Sequence, residues 1–265
     1  MAPRRARRWS LLSRCPHGQP FFTMKLVKGR DLNEILKLAR EDKEGWNLPR
    51  AVGVIVKACQ ALAYAHSKGV IHRDLKPANI MVGRFGEVFV MDWGLAKITG
   101  RKDLHDIRPK DTQLTSASLH SQRRDDADRT PDSPLITMDG SVLGTPAYMP
   151  PEQARGQVED VDQASDIYSL GAILYNLLTS QPPYVEPGVR ISPHTILARV
   201  LDGPPKRVHA LNPKAPSELA SICEKAMARD KRNRYWTSLD LAEDLQARME
   251  RSNFGVRFQR PKFLS

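Results

Sequence analysis

The chain has 265 residues, of which 40% are hydrophobic and 27% are charged, a composition typical of a globular protein with one large domain or two small ones. No apolar run approaches the roughly 20 residues of a membrane-spanning helix, so we expect no membrane span. The formal net charge of +11 lies largely at the two ends of the chain, where basic tails are commonly solvated. We therefore do not expect nucleic acid to be a partner.

Three cysteines lie far apart and form no CxxC pair. An odd, sparse set argues against a disulfide framework or a zinc site and is typical of a reducing compartment. The helical surroundings of Cys59 and Cys223 predict buried thiols. We expect a cytoplasmic protein.

The sequence of the N-terminal part of the chain predicts one disordered segment, followed by a strand and two helices. Residues 1–20 are basic and are treated as a separate, non-homologous segment. Residues 21–27 form a β-prone run, and residues 31–40 have the apolar spacing of a short helix. Pro49, which is tolerated in a first helical turn, begins a long amphipathic helix that ends before Gly69.

Two short strands are predicted next, at residues 79–82 and 87–91, with a turn at Gly83-Arg84-Phe85-Gly86 between them. The chain is then polar and rich in Ser, Thr, Asp and Arg as far as about residue 140. Helical spacing returns in four segments, 166–178, 193–201, 217–228 and 238–251.

The candidate catalytic and metal-binding residues lie in the middle of the chain. Residues 71–79 read Ile-His-Arg-Asp-Leu-Lys-Pro-Ala-Asn, and residues 92–94 read Asp-Trp-Gly. Phosphoryl transfer needs a carboxylate that orients and deprotonates a hydroxyl, a cation for the moving phosphate, and oxygen ligands for Mg²⁺. Asp74, Lys76, Asn79 and Asp92 are residues of these types.

These two strings resemble the catalytic loop and the metal-binding motif of the eukaryotic-type (Hanks-type) bacterial serine/threonine protein kinases. The resemblance implies that Asp74 is the catalytic base and that Lys76 contacts the transferred phosphate. It also implies that Asn79 and Asp92 hold Mg²⁺ through hard oxygen donors. ATP and Mg²⁺ are the expected cofactors.

Four further positions have structural or regulatory roles by the same resemblance. His72 and Arg73 precede the base, and Arg73 is able to pair with a phosphorylated loop residue. Trp93 replaces the usual Phe as an apolar packing residue. Thr145 is expected to help hold the base and the lysine.

Residues 92–152 resemble an activation segment that is long for this family, and its Ser and Thr side chains are either autophosphorylation targets or part of an unregulated polar insert. Pro150 stands where the family has Ala, which predicts a small local adjustment. Glu152 is expected to form a buried ion pair with Arg234. Asp166, at the start of the central helix that also contains Gly171, is expected to brace the catalytic loop.

The segment before the first helix resembles the hinge between the two kinase lobes. By this resemblance Met24 is the gatekeeper, the backbone of Lys25 and Val27 binds adenine, Asp31 reaches the ribose, and Met81 forms the pocket floor. The alternative for the hinge segment is an ordinary edge strand and turn.

The resemblance implies an α+β, protein kinase-like fold in which residues 21–251 form the mainly helical C-terminal lobe with its hinge, and residues 252–265 a basic tail. A glycine-rich loop, a strand lysine and a helix glutamate should precede the hinge, and they are not found there. The turn at Gly83 and the helical Lys57 are only superficially similar to the first two. We expect the N-terminal lobe to be missing and activity to be reduced or absent.

The function implied is transfer of the ATP γ-phosphate to Ser or Thr hydroxyls of a protein substrate. The alternative is an inactive kinase lobe that serves as an interaction scaffold.

Overall fold

A computed structural model of the chain describes residues 13–14, 20–21, 27–100, 146–189 and 191–251. The helices in these ranges are α1 (Leu32–Arg40), α2 (Leu48–Ser67), α3 (Pro151–Ala154), α4 (Gln163–Thr179), α5 (Pro193–Asp202), α6 (Val208–Leu211), α7 (Ser217–Ala226) and α8 (Ser238–Arg251). The strands are β1 (Ser13–Arg14), β2 (Pro20–Phe21), β3 (Gly29–Asp31), β4 (Val70–Ile71), β5 (Ile80–Gly83), β6 (Val88–Val90) and β7 (Lys97–Ile98).

The strands form three small antiparallel sheets, β1-β2, β3-β5-β6 and β4-β7. The predicted α+β class, mainly helical with a short hairpin, is confirmed for the described ranges. The pair β1-β2 falls partly in the segment 1–20 that the sequence predicts to be disordered, so strand pairing is present at these residues. Most of the predicted polar segment, and all of the tail at 252–265, lie outside the described residues.

Side-chain caps explain where the helices begin. The Asp31 carboxylate accepts a hydrogen bond from the Glu34 N–H at 2.9 Å, so α1 begins at the next residue. Helix α4 begins three residues before the predicted start at Asp166, because Asp162 and Ser165 form a capping box. Such a box satisfies backbone donors that the apolar spacing alone does not reveal.

The core lies between α2 and α4, which α1, α7 and α8 flank. Helix α4 is buried on nearly every side, from Ser165 to Leu178, so it forms the centre of the molecule. Its Gly171 lies against α7, where an added Cβ would come within 2.8 Å of the Ala226 Cβ. A second, smaller cluster joins the end of the activation segment to α5 through Met149, Ala154, Leu197 and Val200.

The hairpin of β5 and β6 has the predicted turn. The Gly86 N–H donates to the Gly83 carbonyl at 3.1 Å, and Gly86 has a positive φ of 82°. Lys57 is a residue of α2, as its periodicity predicts, and its ammonium donates to the Gly86 carbonyl at 2.6 Å. Helix α2 therefore holds the hairpin turn through this hydrogen bond.

The thiols of Cys59 in α2 and Cys223 in α7 are buried and free, as predicted, and burial raises the pKa of both. None of the helices in the described ranges has the length and apolar character needed to cross a membrane.

Candidate active site

The loop between β4 and β5 brings three of the predicted residues together. The Lys76 ammonium lies 2.8 Å from Oδ2 of Asp74. The Asn79 side-chain amide, in a 3-10 turn at Pro77–Asn79, donates to the same Oδ2 at 3.2 Å and to the Asp74 carbonyl at 2.7 Å. The Asp74 carboxylate is thus the point on which the loop converges.

Asp92 follows β6 and joins this group through the backbone. The Met91 N–H donates to the Asn79 carbonyl at 2.7 Å, which continues the β5-β6 pairing and brings the next residue, Asp92, alongside the catalytic loop. Asp92 is exposed and has a left-handed backbone with φ 61°, an unusual conformation for a residue with a side chain. Because the chain leaves the strand before Asp92, the Asp92 side chain does not pack on either face of the sheet.

The donor set fits Mg²⁺. Both amide hydrogen bonds of Asn79 involve its nitrogen, so its Oδ1 points away from Asp74. In the described part of the chain neither this oxygen nor the Asp92 carboxylate accepts a hydrogen bond, and no group of three acidic, His or Cys ligands is found. Mg²⁺ in nucleotide sites is commonly held by one or two side chains together with phosphate oxygens and water, which two oxygen donors would satisfy.

His72 connects the two halves of the site. Its Nε2 lies 2.9 Å from the Met91 carbonyl, which can only accept, so Nε2 carries the proton. Nδ1 is then an acceptor, and the Asp74 N–H donates to it at 3.3 Å. The buried imidazole therefore links the strand before Asp92 to the backbone of Asp74.

The prediction that Trp93 is an apolar packing residue holds only in part. Its ring packs against the His72 ring with centroids 4.6 Å apart, and its indole N–H donates to the Val90 carbonyl at 2.9 Å. The side chain is nevertheless 37% exposed, because it begins a 3-10 turn at the surface.

Asp166 contacts the catalytic loop directly. One carboxylate oxygen accepts from the Arg73 N–H at 2.9 Å, and the other accepts from the His72 N–H at 2.9 Å. The second oxygen also lies 2.8 Å from Nε2 of His66 on α2, whose Nδ1 faces the Ser238 hydroxyl at 3.2 Å. Asp166 thereby connects α4, α2 and α8 to the loop.

Glu152 and Arg234 form the predicted ion pair, with two contacts of 2.7 and 2.8 Å in the interior. Burial by itself raises the pKa of Glu152, but the hydrogen bonds and charge of Arg234 outweigh it, and the pKa lies below its usual value. Ser165 donates a further hydrogen bond to Glu152 at 2.8 Å. Pro150 precedes the first turn of α3, where its missing N–H is not required.

The predicted hinge contacts are only partly in the described ranges. Met24 and Lys25, as well as Thr145, lie outside them. Val27 is partly buried, and Asp31 caps α1 through one carboxylate oxygen. Their contacts with a nucleotide stay predictions.

Met81 has a neighbour that the sequence does not reveal. Met81 of β5 pairs with Phe89 of β6, and directly opposed residues of an antiparallel sheet share a face. The alternate residues Ile80 and Val82 are buried in the core, so the face with Met81 and the 37% exposed Phe89 is the open one. An apolar platform thus borders the catalytic loop.

Two more residues of the site escape the sequence reasoning. The Gln153 side-chain amide donates to the Arg73 carbonyl at 3.0 Å, and His66 binds Asp166. Gln153 follows Glu152, but nothing in the local pattern indicates that it reaches a loop 80 residues away. Arg73 also donates from Nε to the Leu95 carbonyl at 2.5 Å.

The chain is similar to known protein kinases along most of its length. The protein kinase domain matches residues 16–244, so the match begins within the segment that the sequence treats as separate. The absence of an N-terminal lobe and the reduced activity stay predictions.

Three relatives illustrate the similarity. The chain is 37% identical to the serine/threonine-protein kinase PknD of Protochlamydia amoebophila over 87% of its length. It is 36% identical to PknB of Mycolicibacterium smegmatis over 87%, and 34% identical to PknB of Mycobacterium tuberculosis over 85%. It spans only 22%, 31% and 30% of these relatives, respectively. The chain belongs to the protein kinase family and is related to the bacterial Hanks-type serine/threonine kinases.

Proposed function

We propose that this chain transfers the γ-phosphate of ATP to a Ser or Thr hydroxyl of a protein, with Asp74 as the catalytic base. The observation that carries the proposal is the convergence of Lys76 and Asn79 on the Asp74 carboxylate, at 2.8 and 3.2 Å. A carboxylate beside an ammonium group is suited to orienting a hydroxyl next to a phosphate.

In the proposed step, the substrate hydroxyl oxygen forms a bond to the γ-phosphorus while the bond to the oxygen bridging to the β-phosphate breaks. The hydroxyl proton passes to the Asp74 carboxylate, and ADP leaves with the bridging oxygen. Lys76, next to Asp74, donates to the transferring phosphoryl oxygens and offsets their charge. A loop held by Asp166 and His72 keeps these groups in place before substrate arrives.

Mg²⁺ would be held by Oδ1 of Asn79 and the Asp92 carboxylate, and when bound it would neutralise phosphate charge. The adenine ring would lie on the open face with Met81 and Phe89, beside the hinge residues Met24, Lys25 and Val27. Asp31 keeps a second carboxylate oxygen for the ribose, since only Oδ1 caps α1. ATP is the phosphate donor in this proposal, and we place the reaction in the cytoplasm.

Replacement of the base tests the proposal. We expect Asp74→Asn to lower Mg·ATP-dependent phosphorylation of a basic Ser/Thr peptide by at least about a thousandfold, because the amide cannot accept the proton. The measurement is the transfer of labelled γ-phosphate. The matched control is Asp202→Asn, at an exposed position at the end of α5, which should leave the rate unchanged.

The same assay distinguishes the scaffold alternative. Absence of Asp74-dependent transfer, together with no thermal shift on addition of Mg·ATP, would contradict the proposal and favour an inactive interaction module. The wild-type turnover also tests the reduced activity that the sequence predicts.

A further inference from the structure

Gln153 on α3 makes a hydrogen bond to the catalytic loop. The Gln153 amide nitrogen lies 3.0 Å from the Arg73 carbonyl. A carbonyl only accepts, so only the NH₂ end of the amide can face it, and the orientation of the side chain is determined by chemistry.

This contact completes the support of one peptide group. The carbonyl of the Arg73–Asp74 peptide accepts from Gln153, and its N–H, which belongs to Asp74, donates to Nδ1 of His72 at 3.3 Å. The preceding Arg73 N–H donates to Asp166 at 2.9 Å. Arg73 has a positive φ of 70°, which is unfavourable for a residue with a Cβ and needs such surrounding support.

The position of Gln153 is determined by the residue that precedes it. Gln153 follows Glu152, whose buried ion pair with Arg234 and hydrogen bond from Ser165 anchor α3 to the C-terminal half of the molecule. A short helix of four residues has little rigidity of its own, so this anchor determines where Gln153 lies.

The other end of the amide is not satisfied. Oε1 of Gln153 is buried and has no hydrogen-bond partner, the only side-chain N or O atom in the described ranges for which this holds. An apolar side chain of similar length could fill this partly buried position, but it could not donate to the Arg73 carbonyl. The contact made by the nitrogen is therefore the feature that accounts for a glutamine here.

We propose that Gln153 is a positioning residue for phosphoryl transfer, which holds the Arg73–Asp74 peptide and through it directs the Asp74 carboxylate toward the substrate hydroxyl. The inference rests on the proposed function of Asp74. Gln153 acts on the loop backbone, so its loss should affect the chemical step more than the binding of nucleotide or peptide.

The first experiment compares Gln153→Met with Gln163→Met in the full chain. Gln163 also donates its amide to a backbone carbonyl at 3.0 Å, but that carbonyl belongs to Trp236, which precedes α8, and not to the catalytic loop. We expect Gln153→Met to lower kcat by about tenfold to a hundredfold, with the KM for Mg·ATP and for peptide within about twofold of wild type. Gln163→Met should change neither. An unchanged kcat for Gln153→Met, or equal losses in the two variants, would overturn the inference.

A second variant separates positioning from general loss of structure. In Gln153→Glu the new carboxyl can donate to the Arg73 carbonyl only when protonated, and as a carboxylate it repels that oxygen. The ratio of variant to wild-type kcat should therefore rise as the pH falls from about 7 to about 4.5, because a glutamate becomes protonated toward the lower end of this range. A ratio that stays flat across this range contradicts the proposal.

Hydrogen exchange provides a readout that does not need activity. We expect the backbone amides of Arg73 and Asp74 to exchange faster in Gln153→Met than in wild type, and to be unchanged in Gln163→Met. If wild type shows no Asp74-dependent transfer, the proposed function fails, while exchange still decides whether Gln153 supports the loop. Unchanged exchange at both amides would refute that support.

Discussion

At the scale of single residues, Asp166 is the acceptor on which the catalytic loop depends. Its two oxygens accept from the backbone N–H groups of His72 and Arg73 and contact Nε2 of His66. All of these groups are buried or partly buried, so water cannot easily replace the carboxylate. The motif predicts that Asp166 braces the loop, but the three particular partners become evident only in the structure.

We expect Asp166→Asn to lower the free energy of unfolding by about 3 kcal/mol, because either placement of the new NH₂ group faces an N–H donor. The loop would also lose its support, so kcat should fall. Urea unfolding and phosphotransfer measure the two effects. Asp42→Asn, at an exposed position after α1, is the control and should be neutral. A stability of Asp166→Asn equal to wild type would contradict the assigned hydrogen bonds.

At the scale of the elements, the close approach of α4 and α7 depends on Gly171. A Cβ at this position would lie 2.8 Å from the Ala226 Cβ and 2.9 Å from the Met227 Cγ. Both distances are shorter than ordinary van der Waals contacts, so one of the helices would have to shift. The glycine is a helix interior residue that costs helix propensity in return for this packing.

We expect Gly171→Ala to destabilise the protein by about 1–3 kcal/mol, since overpacking outweighs the gain in helix propensity. The measurement is the urea midpoint at constant slope. Gly203→Ala is the matched control, since no atom lies within 4 Å of the added Cβ. If the two variants had the same midpoint, the proposed steric conflict would be wrong.

Some helix ends are predicted by the spacing of apolar residues, and others are determined by side-chain caps. The periodicity of residues 193–201 and 238–251 predicts α5 and α8 to within a residue, because a helix with one face in solvent repeats its buried positions every three to four residues. The same periodicity places the start of α4 three residues too late, because this end is determined by the capping box of Asp162 and Ser165. Periodicity does not detect capping.

At the scale of the whole molecule, the Glu152–Arg234 pair joins two segments that are 82 residues apart. Both side chains are almost completely buried, so loss of one partner leaves the other as an uncompensated charge. The pair also holds α3, which carries Gln153 toward the catalytic loop. The stability of the molecule and the geometry of the site therefore depend on the same contact.

The pH dependence of stability follows from this pair. The pKa of Glu152 in the folded protein is below its usual 4.5, so its contribution is complete above that pH and is lost as the pH falls toward the folded-state value. We expect Glu152→Gln to destabilise the protein by about 3–5 kcal/mol at neutral pH, and this difference to shrink below about pH 4.5. Urea unfolding of both proteins across this range measures it.

The control is Glu243→Gln, at an exposed position of α8, which should show no such difference at any pH. A destabilisation by Glu152→Gln that is constant down to acid pH would contradict the proposed ionisation of Glu152.

The sequence by itself was enough for the α+β class, for most helices, and for the strings that contain Asp74, Lys76, Asn79 and Asp92. These features are local, since periodicity and a nine-residue loop are properties of neighbouring residues. Only the tertiary structure decided that Gln153 reaches the Arg73 carbonyl, that His66 shares Asp166, and that Phe89 lies beside Met81. Such contacts join residues distant in sequence, and their geometry depends on how helices and strands pack, which no local pattern encodes.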